Sequence, residues 1–159
     1  MASSINASTA GGGGVIVTSD ATGNLNIQSG GSTVVAVTAT GATLSGATTV
    51  VSYVESVVVI GTVSSASTLS LTNGTVQTAT LTASTACTFT MPTATAGKSF
   101  ILLLKQAAAT GNGTATFTSV KFATAGAPTI TATAGKMDIL TFVADGTNWY
   151  GAYTQGYTP

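Results

Sequence analysis

Apolar residues recur along this chain in short bursts interleaved with Thr and Ser, and Gly, Asn or Pro interrupts them about every eight to twelve residues. Successive β-strands joined by turns have this cadence, because a strand shows alternate residues to opposite faces. The first half predicts strands over Val15–Thr18, Leu25–Gln28, Thr33–Thr38 and Ala42–Leu44, with turns at Asp20–Asn24 and Gly30-Gly31. These strands carry few large side chains, so this half has little core of its own. Val50–Ile60 fits a helical face as well as a strand. Its six Val and one Ile decide for a strand, because branching at Cβ suits the pleated conformation.

From Ser64 the pattern becomes regular. Strands are predicted near Thr68–Leu71, Val76–Leu81, Ala86–Met91, Phe100–Gln106, Ala115–Val120, Thr129–Thr131, Met137–Ala144 and Asn148–Thr154. Eight short strands suit a jelly-roll-like β-sandwich. Its expected core is Leu71, Leu81, Phe89, Ile101, Leu103, Phe117, Ile130, Ile139, Phe142 and Trp149. Phe100–Leu104 is apolar at every position, as in a central strand covered on both faces. The last two strands form a hairpin around Asp145-Gly146, a dipeptide that permits positive φ in a tight turn. In the returning strand Trp149, Gly151 and Tyr153 share one face and Asn148, Tyr150 and Ala152 the other, and the aromatic residues are expected to plug one end of the sandwich.

This C-terminal stretch also carries a resemblance. Asp138-Ile-Leu-Thr-Phe142, followed by Asp145-Gly-Thr-Asn-Trp-Tyr-Gly151, resembles the end of a β-sandwich module common in virion proteins of tailed bacteriophages. Thr90–Phe100, Ile101–Gln106 and Ala125–Ile130 fit the same module. Met1–Thr9 and Gly23–Thr33 resemble the N-termini of structural proteins of marine and cyanobacterial phages. Together these stretches amount to about a third of the chain and lie within residues 1–33 and 90–151. The resemblance implies a particle component, made in the host cytoplasm and incorporated into the virion, with a homotrimer as the expected assembly. A head decoration (cement) protein on the major capsid protein is the first expectation, and a tail fibre or fibre adaptor the second.

Composition sharpens the picture. Only 5% of the 159 residues are charged and the net charge is zero, against about 25% charged in ordinary soluble chains. A surface this neutral favours self-association, so much of it is expected to be covered by partners. Residues 1–14 are mostly Ser, Ala and Thr and then Gly11, Gly12, Gly13 and Gly14. Such an arm becomes ordered only when a neighbour holds it. No basic region followed by an apolar core marks a signal peptide at the N-terminus, and no apolar stretch is long enough for a membrane-spanning helix.

The candidate chemistry is sparse. Gly97-Lys98-Ser99 has the ending of a phosphate-binding loop, but Pro92 stands where that loop needs its first Gly, so it reads as a turn with a solvated Lys. Asp20, Glu55, Asp138 and Asp145 are scattered and His is absent, which speaks against a metal site. Asp138 and Asp145 lie in one hairpin, too far apart for paired acid–base work. Cys87 has no His to activate it and reads as a small buried hydrophobe. Four separate Lys with zero net charge do not make a basic stripe for nucleic acid. Trp149, Tyr150, Tyr153 and Tyr157 could stack on sugars, and a carbohydrate-binding module is a distant alternative that needs them exposed in a row.

The sequence therefore predicts an all-β protein that is not an enzyme and needs no cofactor. Residues 1–63 are expected to form an extended N-terminal arm and small β-region that interlocks with neighbours, and 64–159 the sandwich. The candidate interaction residues are Gly11–Gly14, Val15, Ile16, Tyr53, Tyr150, Tyr153 and Tyr157. Partners are copies of itself and other virion proteins, without nucleic acid or membrane; a host glycan enters only in the fibre reading.

Overall fold

A computed structural model describes residues 24–159. The predicted strand Val15–Thr18 and the glycine arm lie outside them. The described chain is all-β and divides into two compact units, one ending at Tyr53 and one running from Val54 to Pro159. The division falls ahead of the expected boundary after Val63, because Val57–Val63 is a strand of the second unit's larger sheet.

In the first unit, β1 (Leu25–Ser29), β2 (Ser32–Thr38) and β3 (Gly41–Leu44) form an antiparallel meander. Gly30 and Gly31 make the first turn, both at positive φ (59° and 80°). Two positive-φ residues are what a two-residue hairpin matched to strand twist requires. Cross-strand pairing aligns Leu25, Val37 and Ala42 in one row and Ile27, Val35 and Leu44 in the next. One face of this sheet is thus apolar, and Leu25, Ile27, Val37 and Leu44 on it are exposed.

The second unit is a coil. β4 (Val57–Val63), β6 (Val76–Leu81) and β8 (Ser99–Lys105) lie parallel in one sheet. The strands that follow each of them, β5 (Ala66–Thr68), β7 (Ala86–Thr90) and β9 (Thr114–Phe117), lie parallel in a second sheet. Each turn of chain therefore lays one strand in each sheet and returns to stack on the last. β10 (Val120–Phe122), β11 (Met137–Ala144) and β12 (Trp149–Tyr157) then extend the first sheet to six strands in the order β10-β12-β11-β8-β6-β4. β11 is antiparallel to both β8 and β12.

The jelly-roll expectation is corrected here: that fold joins antiparallel strands, whereas the first three turns pair in parallel. Strand spacing and alternation are the same in both. What differs is where the connections lead, and here the loops carry the chain to the facing sheet rather than to the neighbouring strand.

The two sheets enclose one core of Val63, Leu69, Leu81, Phe89, Phe100, Leu102, Leu104, Leu140, Phe142 and Trp149 with smaller residues between. Phe89 stacks on Phe117 one turn later, with ring centroids 5.3 Å apart. Phe117 in turn meets Phe142 at 5.5 Å, joining the sheets. Such aromatic pairs add stabilisation beyond their buried area. Three expected core residues, Ile101, Leu103 and Ile139, point the other way, to the outside. Leu71 and Phe117 are only partly buried against the core. Thr129–Thr131 forms no strand, although Ile130 is buried. The predicted strand Ala115–Val120 is split into β9 and β10 by a turn in which Ser119 takes φ 56°.

Candidate functional site

The groups able to do chemistry are held by the fold. Asp138 sits on the core face of β11 and is almost fully buried. Its Oδ2 accepts from the Thr131 N–H at 2.8 Å and Gln155 Nε2 at 3.1 Å, and its Oδ1 from the Gly156 N–H at 3.0 Å. Burial pushes its pKa up, but the hydrogen bonds from Thr131, Gln155 and Gly156 outweigh it and leave the carboxyl below its usual value. The carboxylate acts as a clasp that ties the last strand and the segment before β11 to the sheet.

Asp145 holds the hairpin turn. Its Oδ1 accepts from the N–H groups of Asn148 (2.7 Å) and Thr147 (2.8 Å), and its Oδ2 from the Tyr150 hydroxyl (3.0 Å). These donors, Asn148 and Thr147 first, hold its pKa down to about 2. The same bond raises the pKa of the Tyr150 phenol. Asp138 and Asp145 stand at opposite ends of β11, roughly 20 Å apart at the rise of an extended strand, and every carboxylate oxygen of the two serves a structural partner.

Cys87 is buried on the core face of β7, and burial pushes its thiol pKa up. Gly97-Lys98-Ser99 is a turn into β8: the Gly97 N–H donates to the Ala144 carbonyl at 3.0 Å, and the Lys98 carbonyl accepts from the Ala144 N–H at 2.9 Å. Lys98 borders an open cleft of about 310 Å³ lined also by Ser70, Leu71, Thr72, Pro92, Thr93 and Thr95. Among the described residues no cluster of three or more His, Cys, Asp or Glu is positioned to hold a metal ion, and no helix is long and apolar enough to cross a membrane.

The predicted interaction residues scatter. Gly11–Gly14, Val15 and Ile16 lie outside the described residues. Tyr53 is well exposed in the segment between β3 and β4. Tyr150 is exposed on the outer face of β12 and hydrogen-bonded to Asp145. Tyr153 faces inward, with its ring 6.2 Å from Phe122. Tyr157 is exposed at the end of β12, paired with Met137. Trp149 is 1% exposed, packs edge-on against Phe100 at 5.2 Å and donates its Nε1–H to the Pro92 carbonyl at 2.7 Å. These four aromatics of β12 do not form the exposed row that stacking on a sugar chain needs.

A feature that residue-by-residue reading missed is the outer face of the six-stranded sheet. Register places Val57, Val76, Ile101, Thr141 and Ala152 in one row across β4, β6, β8, β11 and β12. Val59, Thr78, Leu103, Ile139 and Thr154 make the next row. Neither row contains a charged residue. Val57, Val59 and Ile101 are exposed, as is Val143 further along β11. The signal was present in Phe100–Leu104, whose unbroken apolar run anticipates cover on both faces. By contrast the outer face of the smaller sheet is a Thr surface, where the hydroxyls of Thr88 and Thr116 are hydrogen-bonded across strands at 3.1 Å.

Comparison with protein-family models, with curated proteins and with solved structures returned no match.

Proposed function

We propose that this chain is a non-catalytic structural component of a tailed-phage particle, and specifically a capsid decoration protein that binds the outer head surface and reinforces the lattice. The observation that carries the reading is how the polar and apolar groups are divided. Asp138, Asp145 and Cys87 are committed to holding the fold, while uncharged β-faces with exposed Val, Ile and Leu are left outward. Surfaces of this kind suit burial against protein partners, because large exposed apolar patches are uncommon on free-standing monomers. The resemblance of the C-terminal hairpin to virion modules supplies the setting, and copies of the chain together with the major capsid protein are the partners.

A tail fibre is the second reading, favoured by the parallel coil. Stacked turns add length along one axis, as in other solenoids, and the resembling hairpin module often ends longer fibre chains. In that position the exposed end would meet the host surface.

Copy number separates the two. Quantitative mass spectrometry of purified particles is expected to find this chain in numbers comparable to the major capsid protein. A handful of copies per particle moves it to the tail, and its absence from particles overturns both.

A further inference from the structure

We propose that the outer face of the six-stranded sheet is the surface through which two copies of this chain pair face to face. The proposal rests on the reading of the chain as one that assembles through uncharged β-faces, and it names a pair of copies in place of the homotrimer that the resemblance implies.

The first argument is pattern. β8 is apolar on consecutive positions, and Phe100, Leu102 and Leu104 fill the core while Ile101 and Leu103 face outward. Ile139 and Val143 on β11 and Val57 and Val59 on β4 repeat the outward preference. Strands read this way when their sheet is covered on both sides, yet the second unit covers only one.

The second argument is size. Five strands about 4.8 Å apart, with the two neutral rows and the next row of Thr80, Lys105, Met137 and Tyr157 roughly 7 Å apart, give a patch on the order of 500 Å² in plan. Side chains standing above that plane enlarge it toward the ~800 Å² per partner of a standard interface.

The third is charge. The two central rows are neutral, and ionic groups occur only at the rim: Lys105 at one end of β8 with Lys136 just before β11, Asp145 and Lys98 at the opposite end of the same two strands with Glu55 just before β4, and Lys121 on edge strand β10 opposite Tyr150. A neutral centre gives a charged partner nothing to pair with, whereas a second copy offers a matching neutral centre. A two-fold axis lying across the strands brings the Lys105–Lys136 end of each copy, net +2, to the end of the other that carries the carboxylates Asp145 and Glu55 against the single cation Lys98, net −1, so net opposite charge meets at both rims. The interface is then isologous and closed, with the two sheets packed about 10 Å apart like the halves of a sandwich.

Sedimentation velocity on the full-length chain tests this. The expected mass is twice the 15.5 kDa of the chain at micromolar concentration. Ile101→Glu, at the centre of the face, is expected to reduce it to monomer, and so is Thr141→Lys on the neighbouring strand, an exposed polar position that a folded monomer tolerates. Thr88→Glu on the smaller sheet leaves the dimer intact. Trp149, the only Trp and buried in the core, reports folding in every variant, so loss of pairing with an unchanged emission maximum supports the proposal. A monomeric parent overturns it, as does a trimer, or any assembly, that survives both Ile101→Glu and Thr141→Lys. Failure here leaves copy number per particle untouched, whereas a dimer missing from particles overturns the proposed function alone.

Discussion

The two units are built from the same few residue types by opposite rules. In the first, three strands follow one another through two-residue turns, and each pairs with the strand next in sequence. Its partners are set locally by Gly30 and Gly31, and the sheet has one apolar face with no second sheet of its own unit's described residues packed on it. In the second, neighbours among β4, β6 and β8, and among β5, β7 and β9, lie a full turn of chain apart, and the space between the sheets is filled by Phe, Leu and Trp. Local turn chemistry alone gives a sheet without a core; long returns to the same sheet give a core at the cost of greater loop-closure entropy. Stability should therefore be concentrated in the second unit.

The sharpest way to break the comparison is a pair of truncations. Phe142→Ala removes a ring that packs against Phe100 (4.7 Å) and Phe117 (5.5 Å), and should cost about 3–5 kcal/mol. Val35→Ala, at the centre of the first unit's open face, should cost under about 1 kcal/mol in the isolated chain, because its side chain is only half-buried. Denaturant unfolding followed by Trp149 fluorescence reads the first, and amide hydrogen exchange of β1–β3 the second. Equal costs would mean that the first unit's face is already covered in solution.

Removing the carboxylate clasp is the next largest change. Asp138→Ala leaves the Thr131 and Gly156 N–H groups and the Gln155 amide without their acceptor, at a cost of about 3 kcal/mol. Urea midpoints for parent and variant measure it. The pH dependence follows from the same group. Its folded pKa is lowered below the ordinary 3.8, so its contribution is complete above that value and is lost as pH falls through the folded pKa. The second unit should therefore weaken only in strongly acidic solution. Asn24–Tyr53 contains no carboxylate and should show no such transition, which acid titration of hydrogen exchange tests unit by unit.

Glycines separate the units more gently. A Cβ at Gly113 would come within 2.7 Å of Leu81 Cβ and 2.9 Å of the Thr82 carbonyl oxygen, so Gly113→Ala should destabilise the coil by about 1–3 kcal/mol. Gly31→Ala meets nothing within 4 Å and carries only the strain of φ 80°, about 1 kcal/mol. The smallest effect is spectroscopic: Asp145→Asn should bring the Tyr150 phenol back down toward its ordinary pKa, read by ultraviolet titration. An unchanged titration would show that the Asp145–Tyr150 bond does not persist in solution.

Strand existence was legible where turn signals flanked clean alternation. Val76–Leu81 and Met137–Ala144 form over the predicted residues, and Trp149 faces the core while Tyr150 faces out, as the hairpin's alternation requires. Phase was illegible in β8, because Ile101 and Leu103 are as apolar as Phe100, Leu102 and Leu104, and alternation carries no information when both faces are apolar. The clasp was invisible too: Asp138 reads as one charge in an apolar run, and its donors come from Thr131, Gln155 and Gly156, brought together only by folding.

The sequence by itself determined an all-β chain, its turns, most of its strands and a surface almost without charge, because these follow from residue type and from spacing over a few positions. Only the tertiary structure decided that the strands coil in parallel turns rather than fold as a jelly roll, since both topologies share the same alternation and differ in where each loop delivers the chain. It also decided which face of β8 and β11 lies inside and which is left open. That choice depends on what the facing sheet can cover, and a local pattern does not contain it.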